Sequence, residues 1–291
     1  FYAALPGTLQ GSLLDPQLHI APGGLLRMRG RLLSTLEVDE ARWPLAGVSL
    51  SAAGINGRLQ AILSAHDRQK GRFTLHLDGR ASEFWPDRGR WGWRYWGNGY
   101  LAPLKAKWDV QGTGSWQGSA LTLATLSTGF DRLRYGMTTV NQPRLRLAQP
   151  LVWQRDAQRP AFSGAMRLDA AATRFDSGGY LPPSRLTLAL QGRDPAHFLF
   201  NGSLAAQAIG PVRLNGRWDG ERLRGQAWWP EQSLTVFQPL LSPDLKMHIT
   251  GGTLRAQVAF SAADQQGFIA GGHWVVRNGA LWMPDNSIEG V

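Results

Sequence analysis

Leu104-Lys-Ala-Lys-Trp-Asp-Val-Gln-Gly-Thr-Gly-Ser-Trp116 is the stretch on which the fold of this chain turns. One parity carries Leu104, Ala106, Trp108, Val110, Gly112, Gly114 and Trp116; the other carries Lys105, Lys107, Asp109, Gln111, Thr113 and Ser115. A period of two predicts a strand with one apolar face and one wet face. At roughly 3.3 Å per residue the run is about 40 Å long, well beyond the five or six residues of an ordinary strand.

The same alternation recurs on both sides of it. Upstream, Leu26 and Met28 alternate with Arg27 and Arg29, and Phe73, Leu75 and Leu77 with Thr74, His76 and Asp78. Trp91, Trp93 and Tyr95 share a parity within the densest aromatic cluster, Trp91 to Tyr100, and are expected to form an aromatic patch in the sheet rather than a membrane belt or a base-stacking site. Downstream come Phe162, Met166 and Leu168; Leu186, Leu188 and Leu190; Phe198 and Phe200; and Val212, Leu214 and Trp218. Leu223, then Val258 and Phe260, and finally Trp274 continue the series. These residues, with Leu104, Ala106, Trp108, Val110 and Trp116, are the candidate lining of one apolar surface.

Short turn signals separate the runs: Asp15-Pro16, Gly54-Ile-Asn-Gly57, Gln117-Gly118, Asp219-Gly220, Thr250-Gly-Gly252 and Asn278-Gly279. Asn-Gly and Asp-Gly favour the hairpin turns that match strand twist. The expected fold is all-β: a long, curled antiparallel sheet, with at most one or two short helices. Gly114-Ser-Trp-Gln-Gly118 and Gly216-Arg-Trp-Asp-Gly220 look like one hairpin unit repeated, which argues for elongation. Ser34 with Glu37 fits a capping box, against which Leu36 and Val38 allow a strand. Glu231 to Leu241, after Pro230, is the better candidate for a short helix crossing the apolar face, limited to about two turns by Pro239.

Gly11, Gly30, Gly79, Gly112, Gly114, Gly164, Gly192, Gly202, Gly216, Gly225 and Gly272 all take the apolar parity. Glycine inside a strand packs nothing and loses the most backbone entropy. Two compatible readings follow. The glycines permit the sheet to curl, or they leave room on the inner face for something that is not protein.

Composition bounds the rest. The 291 residues, with 43% hydrophobic and 13 tryptophans, suffice for a large core and exclude a disordered chain. No cysteine is present, so disulfides and thiolate metal sites are excluded. The net charge is +10, and of the 31 basic residues only Lys70, Lys105, Lys107 and Lys246 are lysines. The arginines alternate with apolar residues, as in Arg27, Arg29 and Arg31, which describes a solvated sheet face rather than a nucleic-acid footprint. No apolar run reaches the roughly 18 residues of a membrane-spanning helix, and no signal-peptide pattern stands at the start. Phe1 and Val291 fall in strand-like text, so the chain reads as one continuous segment, 1–291, of a longer protein.

No catalytic constellation emerges. His19, His66, His76, His197, His248 and His273 are scattered, with no His-x-x-x-His pair. Gly112-Thr-Gly-Ser-Trp-Gln-Gly118 has the wrong spacing for a dinucleotide loop, and there is no Gly-x-Ser-x-Gly elbow or phosphate loop. Asp39-Glu40, the sole adjacent acidic pair, would point to opposite faces of a strand, and Asn201-Gly-Ser203 fits a glycosylation sequon. The expectation is no enzyme, no cofactor and no metal. An apolar face this long must be covered by a second sheet, by a bilayer as in an outer-membrane barrel, or by acyl chains. A purely structural or sugar-binding scaffold is the remaining alternative.

Several long strings resemble the AsmA-like group of Gram-negative envelope proteins: Arg42-Trp-Pro-Leu-Ala-Gly-Val48, Gly57-Arg-Leu-Gln-Ala-Ile-Leu63, Gly89-Arg-Trp-Gly-Trp-Arg-Tyr-Trp-Gly97, Ile209-Gly-Pro-Val-Arg-Leu-Asn-Gly-Arg-Trp-Asp-Gly220 and Gln232-Ser-Leu-Thr-Val-Phe-Gln-Pro-Leu240. The resemblance runs from end to end of the chain. It implies a taco-shaped trough with an apolar lining, anchored in the inner membrane by an N-terminal helix and reaching across the periplasm. It further implies that phospholipid is carried between the membranes, with a small outer-membrane lipoprotein as partner at the far end. On that resemblance the alternating residues named above become the lipid-groove lining.

Overall fold

The computed structural model describes residues 8–21, 25–38, 41–44, 48–55, 58–67, 71–81, 90–156, 158–263 and 267–283, with side chains at 64, 71–79, 92–156, 158–263 and 267–283. Strand-like text at Phe1 and Val291, the Asp39-Glu40 pair and Asn56-Gly57 lie outside the described residues, as do the side chains of Leu26 and Met28. The chain divides into two compact units, Phe1–Phe130 with Gln154–Ala157 and Asp131–Trp153 with Gln158–Val291.

The first unit is an antiparallel ladder. Its strands are β1 (Thr8–Ala21), β2 (Leu25–Val38), β3 (Ala41–Pro44), β4 (Val48–Ile55), β5 (Arg58–Asp67), β6 (Gly71–Ala81), β7 (Arg90–Leu101), β8 (Ala106–Gln117) and β9 (Ala120–Phe130). β2 pairs with β1, β3 and β4, and from β4 onward each strand pairs with the next. The segment holding Ser34 and Glu37 is strand, as the alternation of β2 allows.

The strand expected over Leu104–Trp116 begins two residues later, at Ala106. Pro103 cannot donate to a ladder, and a turn closed by Lys105 N–H on Ala102 O (3.1 Å) occupies those positions. Lys105 itself is left-handed, with φ 50°. At the other end, Gln117 pairs with Ala120 across a two-residue turn in which Gly118 has φ 58°. That conformation is open to glycine at no steric cost.

The second unit holds a meander and a small sheet. β12 (Arg144–Gln154), β13 (Ala161–Ala170), β16 (Ser184–Asp194), β17 (His197–Ala206), β18 (Ile209–Trp218), β19 (Arg222–Ser233), β20 (His248–Ala263) and β21 (Gly267–Trp282) form the meander. From β13 on each strand is antiparallel to the next. β10 (Arg132–Tyr135), β11 (Thr138–Asn141), β14 (Thr173–Phe175) and β15 (Tyr180–Leu181) make the four-stranded sheet. Carboxylates fix two hairpin loops of the meander: Asp219 accepts the amides of Glu221 (3.2 Å) and Arg222 (2.8 Å), and Asp194 that of Ala196 (2.8 Å).

Two expectations are corrected here. Asp15-Pro16, Thr250-Gly-Gly252 and Asn278-Gly279 are not turns; each lies inside a strand, β1, β20 or β21, where the register shifts at a bulge. Bulges and tight turns draw on the same left-handed backbone, here Gly252 at φ 108° and Asn278 at φ 53°. The helix expected from Glu231 is also displaced. β19 runs on to Ser233, and a 3₁₀ helix, η1, occupies Leu234–Leu240, followed by η2 at Pro243–Leu245. Ser233 caps η1 by accepting the Thr235 amide at 3.3 Å.

Candidate functional site

Register carries a single parity through each ladder. In the first unit Leu26 and Met28 of β2 pair with Gly54 and Ala52, which pair with Leu59 and Ala61, which pair with Gly79 and Leu77. Leu75 and Leu77 lead across to Gly97 and Tyr95, and those to Val110 and Gly112. Trp93 pairs with Gly114, Gly99 with Trp108 and Trp91 with Trp116. Leu26, Met28, Leu75, Leu77, Trp93, Ala106, Trp108, Val110 and Trp116 therefore occupy one parity. Leu104 does not: in its turn it is 48% exposed and belongs to neither face.

The second unit repeats the pattern. Phe162, Met166 and Leu168 pair with Gly192, Leu188 and Leu186, and Leu190 pairs with Gly164. Those lead to Phe198 and Phe200, then to Trp218, Leu214 and Val212, then to Leu223. Val258, Phe260 and Trp274 complete the same parity. Phe162, Leu190 and Phe200 are buried at its centre, packed by Leu151, Trp153, Met166, Leu188, Phe198, Leu223 and Phe260, all from strands of this one ladder.

Glycine and aromatic residues are matched across strands on this face. Trp93 faces Gly114, Tyr95 faces Gly112, Phe200 faces Gly216 and Phe260 faces Gly225, while Gly216 and Gly225 face each other. A Cβ on Gly114 would lie 2.6 Å from two ring carbons of Trp93, and one on Gly225 would lie 2.5 Å from the Phe260 ring. Gly112 is covered by the Tyr95 phenol, whose OH donates to Thr125 O at 3.1 Å, and Gly216 by Phe200. Burial pushes the Tyr95 phenol up to about 12. The space above these four glycines is filled by the protein's own rings, which corrects the reading of them as vacancies for a ligand.

Exposure along the apolar parity is uneven: Val212, Leu190 and Phe200 are buried within the ladder. Leu186, Leu188, Leu214 and Phe260 are half-buried. Toward the last strand the face opens, with Phe268 69%, Trp274 72% and Val276 56% exposed. Neither ladder closes on itself among the described residues.

At one end of the second unit's face stands η1. Leu234 Cδ1 lies 2.8 Å from where a Cβ on Gly252 would sit and 3.8 Å from one on Gly279, beside Val276. Two glutamines that sequence reasoning missed hold this region. Gln238 donates to Met247 O (2.8 Å) and accepts the Ile249 amide (2.6 Å). Gln232 accepts the Gly210 amide (2.8 Å) and donates to Ala208 O and Gly210 O, each at 2.9 Å. Nothing in a local pattern marks a glutamine as a brace for backbone some 22 residues away.

The opposite parity is polar. Burial alone would raise the Asp169 carboxyl, but Arg185 (2.7 Å), Arg167 (3.0 Å) and Arg146 (3.8 Å) hold it below the usual carboxylate range. His76 stacks on Trp96 at 5.1 Å, and the Arg94 guanidinium lies 4.7 Å from the same ring. Among the described residues no group of three His, Cys, Asp or Glu could hold a metal, and no helix is long and apolar enough to cross a membrane.

Residues 1–291 match the model of the family described as YdbH-like, intermembrane phospholipid transport protein YdbH. A relative from Escherichia coli (strain K12), the probable phospholipid transport protein YdbH, is 60% identical over 290 residues, which is 100% of this chain and 33% of that protein. The chain thus spans about a third of the length of the curated relative it matches. No solved structure matches it. The all-β ladder with one apolar parity and the match over its whole length agree, and the chain belongs to the YdbH-like family.

Proposed function

We propose that this chain is one segment of a bridge that carries phospholipids between the inner and outer membranes, with acyl chains lying along the apolar parity of its strands. The observation that carries the proposal is a register-continuous apolar face in each unit, which in the second unit opens to solvent toward its last strand. About 0.8 kcal/mol per buried methylene means that a lipid with some 30 of them is held out of water by roughly 20 kcal/mol. An uninterrupted apolar path removes that barrier without a chemical step. On this proposal the face lies in the groove of a taco-shaped sheet in the periplasm. The full-length protein is anchored in the inner membrane and meets a small lipoprotein at the outer one. Ladders that stay open favour this reading over an outer-membrane barrel.

The test is lipid photocrosslinking in the full-length protein, purified from cells. Crosslinkers at Leu77, Trp108 and Leu188 capture phospholipid, whereas those at Thr74, Asp109 and Arg185 do not. Equal capture on both parities would overturn the assignment.

A further inference from the structure

The polar parity of the second unit holds a groove that lipid carriage on the apolar side does not use. Three rungs run across β17 to β20. The first reads Leu199, Arg217, Arg224, Ser261, the second Asn201, Asn215, Gln226, Ala259, and the third Ser203, Arg213, Trp228, Gln257. A cavity of about 800 Å³ runs along the first two rungs, lined also by Phe200, Gly216, Gly225 and Phe260 of the other parity, and one of about 620 Å³ continues from the second rung to the third, sharing Asn201 and Asn215 with it.

Arg217 and Arg224 are direct cross-strand partners, an arrangement that like charges disfavour. Among the described residues neither has an acid within ion-pair distance. The same parity on β13 and β16 solves this problem differently, by setting Asp169 among three arginines. Of the two acids of the adjoining turn, Asp219 accepts the amides of Glu221 and Arg222 and feels the arginines only through their fields, and the Glu221 carboxylate makes no ion pair with either among the described residues. What remains is a groove rich in donors: two guanidinium forks, the amides of Asn201, Asn215 and Gln226, and Arg213 one rung on. Leu199 at one end of the first rung is 60% exposed, and Ile269, which extends that rung onto β21, is 58% exposed.

We propose that this groove binds a phosphate ester. Paired guanidinium groups match the oxygens of phosphate two at a time, the neighbouring amides reach the remaining oxygens, and the two exposed aliphatic ends accept the carbon side of the ester. A bound phosphate supplies the negative charge that the fold withholds from Arg217 and Arg224. Arg217 and Arg224 themselves take the parity opposite to the lipid face, so substituting them tests the site without altering the proposed transport path.

The experiment is calorimetric titration of the full-length protein with inorganic phosphate, glycerol phosphate and a short-chain phosphatidic acid below its micellar concentration. The phosphate-bearing ligands bind, the binding weakens as salt is raised, and R217Q/R224Q lowers the affinity at least tenfold. Both arginines are exposed and repel each other, so the double variant unfolds at or above the wild-type midpoint, and Arg132→Gln on the small sheet binds as wild type does. Preference for the esters assigns a lipid or sugar-phosphate headgroup; equal affinity for inorganic phosphate assigns the free anion. No binding by any of the three, or undiminished binding by the double variant, overturns the proposal.

Discussion

Gly114→Ala puts one methyl group where Trp93 now lies. The added Cβ would stand 2.6 Å from ring atoms Cε2 and Cζ2 and 2.7 Å from Nε1, whereas carbons in contact settle at about 3.5–4.0 Å. The indole must therefore move by about 1 Å from the seat it now occupies. Overpacking of this kind costs about 1–3 kcal/mol. Alanine in a strand regains about 0.5–1 kcal/mol of backbone entropy relative to glycine, leaving a net loss of about 1–2 kcal/mol. Trp93→Val alone loses the burial of a half-buried ring, about 2 kcal/mol. With the ring gone the atoms nearest the added methyl are removed and the entropy gain remains, so the double variant is more stable than the sum of the single losses by the overpacking cost, about 1–3 kcal/mol. Urea unfolding of the four chains followed by circular dichroism reads the cycle. Additive losses, or a Gly114→Ala variant as stable as the parent, would refute the claim that the ring is seated on the glycine.

Two further predictions concern ionisation. Tyr95 keeps its proton up to about 12 in the folded chain against 10.0 when unfolded, so its contribution is complete below pH 10 and is lost as pH climbs through that window; Tyr95→Phe gives a flatter alkaline limb in urea midpoints measured against pH. Asp169 is held below 3.8, so its contribution is present above that value and disappears as pH falls through the lowered one. Asp169→Asn costs about 1 kcal/mol at neutral pH, as for a partly exposed ion cluster, and flattens the acid limb, which thermal unfolding across the acid range would show.

Alternation made most of the fold legible, because a side chain every 180° either meets solvent or does not, and the register then carries that choice from strand to strand. Within each unit the alternating apolar residues other than Leu104 share a parity for this reason. The failures have a common physical origin. Thr250-Gly-Gly252 and Asn278-Gly279 look like hairpin turns since a turn and a bulge ask the same backbone angles of the same residues; only the partner strand decides between them. Leu104 continued the period on paper, but the period does not register that Pro103 stops the ladder. Gln232 and Gln238 act on distant backbone, and no local rule points to them.

The glycines show how local cost and long-range packing are reconciled. A mid-strand glycine is unfavourable by itself, and a tryptophan on an uncovered face exposes much apolar area. Set opposite each other in register, as Trp93 with Gly114 and Phe260 with Gly225, each remedies the other. The ring lies down over the neighbouring backbone instead of standing up from the sheet, burying one of its sides and shielding the strand that glycine weakens. Phe200 and Phe260 do this from both sides of the Gly216–Gly225 pair, so that four residues in one line form a low apolar floor. For an acyl chain moving along the proposed path, such a floor offers continuous contact with few ridges to cross. On that proposal the glycines would serve transport by lowering the protein's own side chains rather than by holding a vacant space open.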